Sequence, residues 1–403
     1  MTALCVAAAT EAAAQAPPQD SIVLNQQLQL GDVFSHQTIN VVDAQDQVTA
    51  QTSARGNTAS GAVEGGAIMV RSDQDMRGDA TARTDAVLSG DTHGEVNVTT
   101  QAGGNDLAVS AYDADLSADA TQINSGGLVS AISEVGDSAA RLHAGGNVAA
   151  SAISNAVSLY GEGSLLEGDI DQSNAATVRS FSRIRSQYIP AEAAATAETI
   201  GNAVAATSGQ TSGQDLAIVQ SSTGEFLEAD ASASAGNAWD LAARARATAN
   251  QAVLHNEGGS VVAASVQNNT SFVRASALTS AYDYGRAESY ARGAANELSV
   301  GNNDIYVEID NSQFNSGGVD VSATFSGTNG YDAYIGADAV GNAVTGYACA
   351  DCEGYLEATN VQTNNGDVAA RATSTVAGSG RSVIAGANAV GNSATFYVSG
   401  PSH

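Results

Sequence analysis

The sequence contains no lysine: all fifteen basic residues are arginine, set against 43 acidic ones, so the 403 residues carry a net charge of −28. Nucleic acid needs a positive surface, and a chain this acidic offers none, so no nucleic-acid partner is expected. Aromatics amount to 5 % and prolines number four, which starves a conventional large core although the length would allow two or three domains. No stretch approaches about eighteen uninterrupted apolar residues, so no membrane-spanning helix is expected. The acidic residues are scattered instead of gathered in a tail. That pattern reads as a solvated, self-repelling surface, with attraction to Ca²⁺ or to a cationic polymer as the sharper alternative.

Cysteine is nearly absent, and two of the three form Cys349-Ala-Asp-Cys352. In an exported protein this pair closes a small loop as a disulfide; a redox site would need a βαβ context and a zinc site a second pair of ligands. The histidines His36, His93, His143, His255 and His403 are isolated from one another. There is no phosphate-binding loop and no nucleophile elbow, and "GGNDLAVSAYDAD" from Gly103 is only superficially like a calcium-binding nonapeptide. No cofactor, no metal and no catalytic residue is therefore expected. Glu308 and Asp310 in "NNDIYVEID" are the best acid pair for a polysaccharide-cleaving site, because alternation puts both on one side of a strand.

At the start, "MTALCVAAATEAAAQAPPQD" places Ala14-Gln15-Ala16 before Pro17, a small-x-small cleavage pattern. Residues 1–16 are expected to be the truncated remainder of a signal peptide, and 17–403 one domain. Cys5 lacks a lipoprotein context, since Thr2 stands where leucine is wanted.

What is abundant is glycine, 42 residues, with Ala, Ser, Thr, Asn and Asp around it. "GADAVGNAVTGY" from Gly336 and "GANAVGNSATFY" from Gly386 are nearly the same twelve letters. The same Gly-Asn mark recurs along the chain, giving candidate structural repeat turns at Asn57, Asn105, Asn147, Asn202, Asn237, Asn296, Asn342 and Asn392, about 48 residues apart on average. A second mark lies between them: "QINSGGLVSA" from Gln122, "QNNTSFVRASA" from Gln267, "QFNSGGVDVSA" from Gln313 and "QTNNGDVAARA" from Gln362, with weaker echoes from Gln101 and Gln172.

Period-two alternation after each mark indicates strands with one buried face, and Gly, Asn and Asp at the breaks allow positive φ. The expected fold is all-β, an elongated parallel β-helix or β-solenoid. Small inward residues suit a thin interior, and repeated Asn and Gln could stack as side-chain ladders. Two marks per unit suggest coils of about 20–25 residues, hence about 16 coils and a rod on the order of 75 Å long. Residues 165–206 read as an irregular insertion. Within it, "AEAAATAETIGNAVAA" is Ala-rich enough for a helix near 190–206 after Pro190, as is the segment 238–256; Ala-rich strands are the other reading.

Tyrosine clusters late in the chain, at Tyr282, Tyr284, Tyr290, Tyr306, Tyr331, Tyr334, Tyr347 and Tyr355. Exposed on one face, these rings could contact a polysaccharide or a partner protein; buried, they would only stiffen the stack.

The opening "DSIVLNQQLQLGDVFSHQTINVVDAQDQVTA" from Asp20, the Gly-Asn and Gln-x-Asn-x-Gly units and the ending "AVGNSATFYVSG" from Ala389 resemble the holdfast attachment protein D (HfaD) family of stalked alphaproteobacteria. The resemblance runs over most of the chain. It implies a non-enzymatic surface protein on the outer face of the outer membrane, at the cell pole or stalk tip, that keeps an adhesive polysaccharide on the envelope. It also implies as partners a companion small anchor protein and an outer-membrane lipoprotein of the curli-secretion type. Open end strands of a solenoid add an expectation of oligomers or amyloid-like fibres. The alternatives are an exported polysaccharide-degrading enzyme and a generic surface-layer or matrix protein.

Overall fold

The computed structural model describes residues 21–304, 306–349 and 354–399. Twenty strands, and no helix among the described residues, form one continuous parallel sheet wound on itself. This is the all-β solenoid that the alternation indicates.

The size of the coil differs from the expectation. Strand partners lie 46 to 50 residues apart, as in Asn250↔Asn296 and Asn105↔Asn155. One circuit of the chain therefore takes about 48 residues, and the two turn marks belong to the same coil instead of opening separate ones. Among the described residues about eight coils stack at about 4.8 Å, making the rod about 38 Å long, half of what the shorter coil would give.

Each coil has two lobes. Phe226–Asn256 is a representative long strand. Its first part and its stretch 240–249 wall a lobe filled with Ala231, Ala233, Ala243, Ala245 and Ala247. Its last part and the strand Ser260–Asn269 wall a second lobe, filled by Val and Leu such as Leu254 and Val261. The Ala-rich segments with helical composition are thus strands. Ala193, Ala195 and Ala197 point into the first lobe with no exposure, and Ala195 is in register with Val148 below and Ala243 above. A helix here would strip the backbone of both neighbouring coils of hydrogen-bond partners, a larger loss than the helix propensity of alanine can offset. Nor is 165–206 an irregular insertion. Leu165–Asn174 and Thr177–Ser208 pair with the coils on both sides, and the register shift towards the next coil, between Ile189 and Glu192, falls where Pro190 has no N–H to give.

A polar waist separates the lobes. Asn57, Asn105, Asn155, Asn202, Asn250, Asn296, Asn342 and Asn392 form a ladder, each Nδ2 donating to the next coil's Oδ1 at 2.7–2.8 Å. The second Nδ2 hydrogen crosses to a carbonyl on the facing wall, as from Asn202 to Ser221 at 2.9 Å. Facing it, Gln27, Gln74, Gln122, Gln172, Gln220, Gln267, Gln313 and Gln362 form a second ladder at 2.7–2.9 Å. Its amides donate towards the N-terminal end while the asparagines donate towards the C-terminal end, so the two rows of dipoles oppose each other. Both carboxamide hydrogens of an inner rung are used, which is what allows sixteen polar side chains inside the rod.

The Gly-Asn mark is therefore no turn. It lies in mid-strand, where two consecutive residues face inward. A Cβ on Gly104 would sit 2.4 Å from the Ser154 carbonyl oxygen and 2.5 Å from Asn124 Nδ2. Of the eight asparagines singled out by this mark, Asn147 and Asn237 do not join the ladder. Both are exposed, and their coils use Asn155 and Asn250, preceded by Ser154 and Ala249 instead of glycine. The Gln101 echo also lies outside the glutamine ladder and accepts from Arg55 at 3.2 Å.

Candidate functional site

Because coils stack in register, outward residues form columns parallel to the rod axis. Arginines and acids pair along them: Glu228 accepts from Arg179 below and Arg274 above, each at 3.3 Å, and Glu288 holds Arg244 through both oxygens at 2.7 and 3.0 Å. Arg244 pulls the Glu288 carboxyl below its usual range, against the opposing effect of burial. The cations are thus largely matched by neighbours, and the surplus of acid sets the outer field.

The structure divides the tyrosines instead of gathering them on one face. Tyr306 and Tyr355 stack at 5.6 Å beside the second lobe, where Tyr347 also lies, stacked on Tyr397 at 5.8 Å. Tyr282, Tyr290, Tyr331 and Tyr334 are exposed around the first lobe, on its outer corner and the wall that follows. Tyr284 points inward at the same corner, 3 % exposed, with its ring edge-on to Phe325 at 4.9 Å.

That corner holds a groove of about 570 Å³ across successive coils. Its polar column is Tyr188, Asn237, Asp283 and Asn329, aligned by strand register. Asn329 Nδ2 donates to Asp283 Oδ1 at 3.4 Å, and its Oδ1 accepts from the Ser379 N–H at 3.3 Å. Its aromatic flank is Trp239, 62 % exposed, and Tyr331, with ring centroids 6.2 Å apart and planes near perpendicular. Gly285 lies in the coil between them. A Cβ there would stand 2.8 Å from Trp239 Cε3, so only a bare backbone lets the indole lie across the corner. Towards the N-terminal end the rings continue: the Tyr188 ring meets His143 edge-on at 6.1 Å, and His143 stacks on His93 at 4.8 Å.

Sequence reasoning found Tyr331 but missed Trp239, and marked Asn237 as a repeat turn when it belongs to this column. The available signal was that Trp239 is the single tryptophan of the chain, standing where a polar outward residue would be expected.

Glu308 and Asp310 do project from one side of a strand. Glu308 accepts from Tyr306 Oη at 2.7 Å, which pushes the phenol up to about 12. No group of three His, Cys, Asp or Glu side chains suited to a metal ion occurs among the described residues. Cys349 is disulfide-bonded; Cys352 lies outside the described residues, as does the expected signal-peptide segment 1–16.

No curated protein and no solved structure matches the chain. The family model described as holdfast attachment protein D matches residues 42–318, which covers all of the first-lobe groove except its last contributors, Asn329, Gly330, Tyr331 and Ser379. The match extends over more than half of the sequence, and with it comes a role in holdfast attachment at the cell surface. The chain belongs to the holdfast attachment protein D family.

Proposed function

We propose that this protein is a non-enzymatic anchor that holds an adhesive polysaccharide on the outer face of the outer membrane, at the pole or stalk tip. The observation that carries the reading is the registered columns. A stiff rod repeats the same outward positions every coil, so a long polymer meets many weak contacts in line, and avidity makes them collectively strong. The net charge of −28 repels anionic chains and is compatible with neutral or amine-bearing ones. A companion small anchor protein and a curli-secretion-type lipoprotein are the partners this role calls for, and stacked parallel strands favour self-association.

The test is deletion of the gene in its host, followed by lectin staining of cells and of the surface they grew on. Polysaccharide still made but shed onto that surface is the expected result. Polysaccharide unchanged and retained on the cells overturns the anchor. Glu308→Gln with Asp310→Asn is expected to retain the polymer as the unsubstituted protein does, and release of reducing ends that these changes abolish would establish an enzyme instead.

A further inference from the structure

We propose that the corner groove formed by Asn237, Trp239, Asp283, Asn329 and Tyr331 is a saccharide subsite, in which Trp239 and Tyr331 carry the C–H faces of uncharged sugar rings and the glycan chain lies along the rod axis. This rests on the reading that the rod holds a polysaccharide, and adds the place and the chemical class.

Three observations converge. First, the aromatic platforms are exposed, and Gly285 keeps the corner between them free of side chain. Flat rings with polar groups at their edges suit sugars, whose C–H faces are apolar and whose rims carry hydroxyls. Second, hydrogen-bonding capacity is left over. Among the described residues the Asn237 side chain makes no hydrogen bond to protein, and the Asn329 bonds are long. Ligand hydroxyls can take the positions left open on Asn237 and Asn329. Third, both arginines beside the groove already pair with acids: Arg381 is bonded to Asp332 and lies over one face of the Tyr331 ring, 5.4 Å from its centroid, and Arg286 is engaged by Glu288 at 3.2 Å. Asp283 adds one more negative charge at the floor. A uronate chain would be repelled, whereas a neutral one is not.

The column geometry sets the direction. Tyr188, Asn237, Asp283 and Asn329 follow one another coil by coil, so equivalent hydrogen-bonding groups recur along the axis and not around the circumference.

Trp239 is the only tryptophan, so its emission reports on this groove alone. The full chain is titrated with a neutral hexasaccharide of β-linked glucose, with oligogalacturonate, and with the polysaccharide shed by cells lacking the protein. The expected result is a saturable change in emission with the neutral saccharide and the shed polymer, at about millimolar Kd for the hexasaccharide. It should be unchanged by salt between about 0.05 and about 0.5 M. Tyr331→Ala should weaken binding about tenfold or more with the circular dichroism spectrum intact. Silence with both the neutral saccharide and the shed polymer, or a response to oligogalacturonate alone, overturns the proposal. Cells carrying Trp239→Ala and Tyr331→Ala that keep their polysaccharide, while deletion cells shed it, would leave the anchor standing and remove the groove. Deletion cells that keep it, with groove binding intact in solution, would do the reverse.

Discussion

Asn202 sits mid-rod, accepting from Asn155, donating to Asn250 and donating across the waist to the Ser221 carbonyl. Asn202→Leu orphans all three groups in the interior, and we expect it to cost about 3 kcal/mol or more in urea unfolding. Asn147→Ala and Asn237→Ala, at exposed Gly-Asn positions, should stay within about 0.5 kcal/mol. That contrast shows where the sequence was ambiguous. The Gly-Asn pair reports a small residue before the ladder asparagine, but Ser154, Ala249 and Ala295 serve as well. The fuller signature joins both marks: from Asn57 to Asn342 the carbonyl reached by each ladder asparagine lies 18 to 21 residues on, and the residue before that carbonyl is the ladder glutamine. Two phenols offer a second check. Tyr290 is pushed up to about 12, by burial first and then by its 2.7 Å bond to Asp338, and Tyr306 by its bond to Glu308. Their pKa is raised in the folded state, so their stabilising contribution is complete below about pH 10 and drains away as pH climbs towards 12. Ultraviolet titration should show these phenols ionising late. Glu308→Gln should bring Tyr306 down, and Asp338→Asn should lower Tyr290 only in part, because its burial remains.

The strand Thr177–Ser208 shows what an element owes to its neighbours. Its segment after Pro190 has a composition that suits a helix, yet it lies extended between Gly146–Glu162 and the end of Phe226–Asn256. A synthetic peptide of residues 190–206 should lack β structure in water and turn helical in trifluoroethanol, as read by circular dichroism, because intrinsic propensity is all it retains. Ala245, in register between Ala197 and Ala291, should reject Ala245→Leu at a cost of about 1–3 kcal/mol, since the thin lobe has no room. The alternation and the all-β class were legible because they are local. The choice of strand over helix was not, because it depends on coils 48 residues away.

For the molecule as a whole, one circuit of about 48 residues gives eight coils, and small-angle scattering should find a folded body about 38 Å along the axis instead of about 75 Å. The larger dimension would restore the short coil. The solenoid was readable from repeated small-residue alternation, but the number of residues per circuit was not. Two polar marks per period look like two turns, and only the facing of the two ladders shows that they line opposite walls of one interior. The groove was half legible for a related reason. Tyrosine enrichment is visible in one dimension, whereas a column drawn from Tyr188, Asn237, Asp283 and Asn329 exists only once the period is known.

The ladders also bear on force. A pull along the axis must break a whole circuit at once: the backbone bonds of a complete coil interface together with one rung of each amide row, all loaded in parallel. A pull on a chain end loads those bonds one after another and peels a single coil. Stretched by its ends, the rod should yield in steps that each release one coil, about 160 Å of contour. Pulled along its axis, it shares the load across a whole coil interface and should hold far longer.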